Sequence, residues 1–486
     1  MATVPYEDLL AGHPEPLDVP EAELADAVGS SRRVVVLDDD PTGTQSIRDL
    51  PVLTAWTKPD LEWALAQPTP GFFVLTNTRS LPPYDAARVN REIAQAVHAV
   101  AGATGIDCAF ASRGDSTLRG HYPLETDVLT EEVEAEGMTV DGVLIVPALI
   151  EPGRVTVDSV HWMRTQEGML EVGESEFARD RTFGYRNSDL RAWVEEKTDS
   201  RIPRGSVTAV TLEDLRARGP EAVSQILCGL SGARPVVIDA VTDADLRVLV
   251  SGLLRAEATG KRFLYRTGPS FLRARFGQRA RPPASPEDLR ACPPADGEQR
   301  HASGSGMVIV GSHVGLTTRQ LESLSADGRS ADVELDVHRV LDAGSRDAHV
   351  EDVSQLVIEL LSRTETAADV VLHTSRSLVT GSDAQHSLQI ARSVSSALVA
   401  VVRSVLTAVR PAFVLGKGGI TSSDVATAGL VIRRAWSRGT VLPGTVSVWE
   451  PVSGPAEGIP YAVFAGNVGD ENGLRDAVRR LQEAAC

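Results

Sequence analysis

Lysine is nearly missing from this chain: Lys58, Lys197, Lys261 and Lys417 are its only four, beside 44 arginines. Anion recognition must therefore fall mostly to guanidinium forks and backbone amides. Cysteine is equally sparse. Cys108, Cys228, Cys292 and Cys486 lie far apart and form no CxxC pair, which argues against a disulfide framework or a zinc knuckle and fits a reducing compartment. No basic block occurs, and a net charge of −18 would repel a nucleic-acid backbone. No window approaches roughly 18 uninterrupted apolar residues, and the opening MATVPYEDLLAGHPEP is acidic and punctuated by proline, unlike a secretory leader. The expectation is a soluble cytoplasmic protein whose partner is a small molecule, with no nucleic acid and no membrane. Two nucleotide-binding signatures are also missing. Lys417 is followed by glycine and lacks the upstream glycine of G-x-x-x-x-G-K-[ST], and no G-x-G-x-x-G follows a strand, so Walker-type and Rossmann sites are disfavoured.

What is present is ample apolar material. With 486 residues, 42% of them hydrophobic, the chain can bury large cores, and at roughly 100 to 200 residues per domain it should hold two or three. Short β-branched runs alternate with longer segments of helical period, which predicts an α/β fold with largely parallel sheets. Strands are expected at 33–38, 71–78, 107–112, 142–149, 207–210 and 235–240, and helices at 83–104 and 242–259. From Gly277 to Gly306 the chain is rich in Pro, Gly and polar residues, too poor in apolar groups to build a core. This predicts an N-terminal domain over 1–276, a linker over 277–306 and a C-terminal domain over 307–486, where strands at 307–312, 368–375, 412–419 and 461–469 and a helix at 386–409 resume the alternation.

Chemistry concentrates where strands should end. VVVLDDDPTGTQS, residues 34–46, closes a buried strand with Asp38, Asp39 and Asp40; adjacent carboxylates repel unless arginines, water or a cation offset them. The plain alternative is an acidic loop with a Pro-Thr-Gly turn. ASRGDSTLRGHYPLE, 111–125, gathers Arg113, Asp115, Ser116, Thr117 and Arg119. Guanidinium forks and hydroxyl-accepting carboxylates suit a polyhydroxy acid, although an N-cap at Asp115 or Ser116 is the bland reading. LTNTRSLP, 75–82, repeats the design with Arg79, and VPALIEPGRVTVDSVHWM, 146–163, adds Glu151 and Arg154. In the second half the glycine-bearing strand ends are VIVGSHVG, VLGKGGITSSD and FAGNVGD; glycine lets amides approach phosphates, but each loop alone is weak evidence.

Together these segments resemble the four-carbon acid sugar kinase family. The D-D-x-T-G element matches Asp39, Asp40, Thr42 and Gly43, and D-S-T-x-R-G matches Asp115, Ser116, Thr117, Arg119 and Gly120. The resemblance implies phosphorylation of threonate, erythronate or 3-oxo-tetronate with ATP and Mg²⁺, an N-terminal domain that holds the acid, a C-terminal domain that holds ATP, and an active site in the interdomain cleft. By motif, the nucleotide contacts would be Ser312, Gly418, Gly419, Ile420, Thr421 and Gly466. Asp39 or Asp40 would orient and deprotonate the hydroxyl, with Asp115 and Arg119 also catalytic. Asp38, Arg79, Arg113, Ser116 and Arg154 would bind substrate, and the arginines Arg113, Arg119 and Arg79 would take the carboxylate or the transferring phosphoryl group. The chain departs from the family at Pro41, at Ile420 and at Phe464, where many members carry Phe, an acidic residue and Lys respectively. Two other readings stay open: a haloacid-dehalogenase-like phosphatase with Asp38 of D-x-D-x-T as nucleophile, and a non-catalytic sugar-acid-binding protein. The metal ligands and any homo-oligomeric state are left open.

Overall fold

The computed structural model describes residues 3–290, 301–363, 368–376, 379, 384–466 and 468–485. It divides into unit one, Met1–Ile47 with Ala55–Arg281, and unit two, Arg48–Thr54 with Pro282–Cys486. Part of the expected linker, 291–300, lies outside the described residues.

Along the first part of the chain the strands are β1 (Arg33–Asp38), β2 (Pro51–Leu53), β3 (Gly71–Leu75), β4 (Cys108–Arg113), β5 (Gly142–Val146), β6 (Arg154–Val157), β7 (Val160–Thr165), β8 (Gly168–Glu171), β9 (Thr208–Val210), β10 (Arg234–Ile238) and β11 (Phe263–Thr267). In unit one, β3-β1-β4-β11-β5-β10-β9 form a parallel sheet. Its inner strands read as continuous apolar runs because helices cover both faces. The helix Pro83–Thr104 shows how the sequence builds those layers. Proline at its start supplies a preset φ, and Val89, Ile93, Val97 and Val100 recur on its buried face. Gly105 ends it at φ +71°, the left-handed conformation glycine adopts without strain. The sequence reading missed β11, which lies between β4 and β5 at the middle of the sheet. Antiparallel β6, β7 and β8 form a separate small sheet.

The remaining strands are β12 (His301–Ala302), β13 (Met307–Val310), β14 (Ser330–Leu335), β15 (Asp369–Thr374), β16 (Val409–Arg410), β17 (Val414–Lys417), β18 (Arg434–Thr440), β19 (Val446–Pro451) and β20 (Tyr461–Phe464). In unit two β14-β15-β13-β17-β20 are parallel, and β20-β19-β18-β2 continue antiparallel. Strand β2 departs from the expected division: residues 48–54 belong to unit two, where Val52 pairs with Ala435 and Arg48 forms an ion pair with Asp288. The helix Ala384–Ala408 contains a stretch, Gln389–Ala408, long and apolar enough to cross a membrane. Within unit two that stretch buries Val394, Leu398, Val401, Val402 and Val405.

Candidate active site

Because the central strands of unit one run parallel, their carboxyl ends share one edge, the usual ligand side of such a sheet. Register sets Asp38 of β1 opposite both Leu75 of β3 and Arg113 of β4. The chain then holds its acids by backbone bonds: Thr76 N–H donates to Asp38 O at 2.9 Å, Asp39 N–H to Arg113 O at 3.2 Å, and Arg79 N–H to Asp39 O at 3.3 Å.

Two arginines answer the repulsion of the three carboxylates. Arg113, 3% exposed, donates from one nitrogen to Asp38 Oδ1 at 3.0 Å and Asp40 Oδ1 at 2.9 Å, and from the other to Thr42 Oγ1 at 3.1 Å. Arg79 forks onto Asp39, with Nε donating to Oδ2 at 3.0 Å, and also donates to Asp40 Oδ2. Burial pushes Asp38 up to about 8 in spite of Arg113, which favours the neutral form of its carboxyl. Asp39 is also raised by burial, against the pull of Arg79. Burial acts in the same sense on Asp40, but Arg79, Arg113 and the Thr42 hydrogen bonds outweigh it and hold that carboxyl well below the ordinary range. Asp40 is also the most accessible of the three, with 20% of its side chain exposed against 2% for the other two.

Asp38 does not fit the nucleophile role of the phosphatase reading. It is buried, and Gly43 packs so closely on its carboxyl that any Cβ there would overlap both oxygens. A carboxyl covered in this way, with Oδ1 bound by Arg113 at 3.0 Å, is not presented to a phosphate ester.

The second group follows β4. Asp115 accepts from Thr117 Oγ1 and, at 2.6 Å, from Arg119 Nε. Burial opposes its ionisation, yet Arg79, Arg119 and Thr117 bring its carboxyl down to about 2. The guanidinium of Arg119 stacks 4.8 Å from the centre of the Phe177 ring. Ser116 contributes its carbonyl, which meets His161 Nε2 at 2.8 Å. Arg79, Arg113 and Arg119, expected to take a substrate carboxylate or phosphoryl group, thus already have carboxylate partners in the protein. Sequence reading also missed the support behind them. Buried Arg266 of β11 donates to Ser112 Oγ and Arg119 O, both at 3.2 Å, and lies 3.5 Å from Glu125, which accepts from Ser112 Oγ at 2.8 Å and Thr78 Oγ1 at 2.6 Å. Gly114 and Gly120 leave room for the Arg266 guanidinium.

The acids do not fit a protein-held Mg²⁺ site. Arg79 and Arg113 take the carboxylate oxygens a cation would need, and no group of three His, Cys, Asp or Glu side chains among the described residues is arranged to hold a metal.

In unit two, Ser312, Gly418, Thr421 and Gly466 come together. Gly418, at φ +118°, is close enough that a Cβ would meet Ser312 Cβ at 3.1 Å and Thr421 Oγ1 at 3.4 Å, and one on Gly466 would meet Ser312 Oγ at 2.9 Å. Gly419 faces open space and Ile420 is 59% exposed. The helix Gly315–Ser325 starts just beyond Ser312, and the side chain of its N-cap Val314 does not cap it; such a helix start can receive an anion. Two cations that the sequence reading left out of this group border it. Arg376 donates to Ser312 O at 2.8 Å and Thr318 Oγ1 at 2.7 Å, and Lys417 Nζ donates to Ala465 O at 2.6 Å.

Comparison with known proteins gives this division a name. A sugar-binding N-terminal domain matches residues 34–275, and a nucleotide-binding C-terminal domain matches residues 307–474. The chain belongs to the four-carbon acid sugar kinase family. A curated relative, the D-erythronate kinase of Heliobacterium modesticaldum, is 24% identical over 292 residues, which cover 59% of this chain and 58% of that protein. Two solved structures share the fold. One, from Salmonella typhimurium LT2 and described as a tRNA synthase, aligns with a TM-score of 0.64 and 18% identity over 92% of this chain and 98% of the other. The Haemophilus influenzae protein HI1011, of a family designated DUF1537, aligns with a TM-score of 0.58 and 20% identity over 91% and 98% of the respective chains.

One departure from the four-carbon acid sugar kinase pattern acquires a physical setting here. Position 464, where the sequence resemblance leads to an expectation of lysine, is Phe464 in register with Lys417 of the next strand, and the Lys417 ammonium lies 3.6 Å from the centre of that ring. Burial pulls Lys417 down to about 7.

Proposed function

We propose that this protein transfers the γ-phosphoryl group of MgATP to a hydroxyl of a four-carbon sugar acid such as erythronate, threonate or 3-oxo-tetronate. The observation that carries the proposal is the pairing, in one chain, of a sugar-binding domain and a nucleotide-binding domain, the first with an acid–arginine cluster that leaves one carboxylate, Asp40, partly exposed. The distant D-erythronate kinase supports the substrate class.

Phosphoryl transfer asks a protein mainly for positioning and charge neutralisation. Asp40 accepts a hydrogen bond from the reacting hydroxyl and orients it. Because Arg79 and Arg113 hold its carboxyl low, the proton moves to Asp40 late, as the new O–P bond forms. Asp39 fixes Arg79, and Asp38 anchors Arg113. Asp115 accepts from another hydroxyl of the substrate, with Arg119 orienting it. In unit two, Ser312, Gly418, Gly419, Ile420, Thr421 and Gly466 line the nucleotide site, with backbone amides toward the phosphates.

The test is ADP release on a panel of C4 to C6 sugar acids. Release that depends on one of these acids supports the reading. Hydrolysis of a phosphate monoester without ATP consumption would favour a phosphatase, and acid binding without turnover a binding protein.

A further inference from the structure

We propose that Arg154 holds the carboxylate of the substrate and so sets the preference for an acid over a neutral polyol. This rests on the sugar-acid reading of unit one and adds to it the residue that reads the acid group. The other arginines named at the strand ends of this unit have carboxylate partners. Arg79 is bound to Asp39 and Asp40, Arg113 to Asp38 and Asp40, Arg119 to Asp115, and Arg266 to Glu125. Arg154 has no carboxylate within ion-pair distance among the described residues; one terminal nitrogen donates to Pro152 O at 3.1 Å, and its buried Nε has no hydrogen-bond partner.

Arg154 is half-buried, with its Nε shielded from water and its terminal nitrogens still accessible, so it has most to gain from an anion supplied by the ligand. A carboxylate matches its fork with two parallel hydrogen bonds. The hairpin that carries Arg154 lies against the loop of Asp115: His161, opposite Thr156 in the β6–β7 pairing, meets Thr156 Oγ1 at 2.9 Å and Ser116 O at 2.8 Å, and Arg154 stands two residues before Thr156 on the same strand face. Burial lowers its affinity for the proton, and the opposing influences are Asp115 and Tyr185. Asp115 is the carboxylate assigned above to a substrate hydroxyl, so an acid head on Arg154 and a hydroxyl on Asp115 can belong to one short molecule. His161, the other titratable group that Arg154 influences, is held neutral by burial, down to about 4, and adds no charge.

The backbone that carries Arg154 is fixed. Arg154 N–H donates to Leu149 O at 2.8 Å and Leu149 N–H to Arg154 O at 3.0 Å, while Gly153 turns the chain at φ +74°. The β6–β7 turn is pinned by Asp239, which accepts from the amides of Asp158 at 2.9 Å and Ser159 at 2.8 Å. A side chain presented from such a hairpin is preorganised for a small ligand.

The experiment measures binding by calorimetry of erythronate and threonate, and of the neutral tetritols erythritol and threitol, to wild type, Arg154→Gln and Arg154→Lys. In the glutamine variant the acids should bind roughly 10- to 100-fold more weakly, the loss expected for a hydrogen bond to a charged group, while tetritol binding is unchanged. The lysine variant should fall between. The ratio of acid to tetritol affinity is the readout, because a merely structural defect lowers both together. In wild type alone, ¹⁵N NMR should show the Arg154 Nε–H resonance move on adding acid and stay in place on adding tetritol, which tests the contact even if both variants misfold. An unchanged acid-to-tetritol ratio, or a resonance indifferent to acid, would overturn the assignment while leaving the kinase reading intact. Wild type that binds no acid of the C4 to C6 panel would overturn both.

Discussion

Replacing Arg113 by methionine keeps most of the side chain's bulk and removes the charge around which the three aspartates are arranged. The guanidinium is 3% exposed and contacts Asp38, Asp40 and Thr42 at 2.9 to 3.1 Å. Breaking such a buried pair from one side costs about 3–5 kcal/mol, because the carboxylates left behind stay desolvated. Replacing its partner should cost far less. Burial raises the Asp38 carboxyl to about 8 and favours its neutral form near pH 7; Asp38→Asn then keeps both shape and charge, and a loss of about 1 kcal/mol or less is expected. The assay is urea unfolding at pH 7, read in the transition that contains unit one. Arg113→Met within about 1 kcal/mol of wild type, or Asp38→Asn as damaging as Arg113→Met, would refute the assignment of charges in the cluster.

The same protonation gives a pH signature. Asp38 titrates at about 8 when folded against 3.8 ordinarily, so its stabilising share is complete below about pH 4 and is lost as the pH rises toward 8, by up to about 1.4 kcal/mol per unit; urea midpoints of Asp38→Asn should lack this decline. Gly43→Ala drives a methyl into the Asp38 carboxyl and should cost about 1–3 kcal/mol in the same unfolding assay. Asp40→Asn should lower turnover by about 10²- to 10⁴-fold with much smaller change in sugar-acid affinity, measured by steady-state kinetics beside calorimetry. Lys417→Met removes a buried ammonium whose folded value, about 7, lies below the ordinary 10.5. The penalty it lifts is largest below pH 7 and vanishes toward pH 10, so the variant's gain in melting temperature should shrink across that window.

Much of the fold was legible because strand ends and helix starts carry local signals. The apolar run before Asp38 and the 3.6-residue repeat after Pro83 announce β1 and the helix Pro83–Thr104 without any tertiary information. Strand β11 escaped because KRFLYRT mixes charge and apolar residues, and Arg266 finds its partners only through Ser112, Arg119 and Glu125, all far away in sequence. Strand β2 is three residues long and pairs with a segment nearly 400 positions later, which no local pattern can report. At the candidate site, residue types pointed to arginines and carboxylates together, but not to which pairs saturate each other. That pairing left Arg154 without a carboxylate partner among the described residues.

The central claim meets its most direct test in the product. Wild-type protein incubated with MgATP and erythronate, threonate or 3-oxo-tetronate, followed by ³¹P NMR, should yield a phosphate monoester of one of these acids in equal amount to the ADP formed, with neither appearing when the acid is omitted. ADP that accumulates without a phosphorylated acid, or ATP left intact with every acid of the C4 to C6 panel, would contradict it.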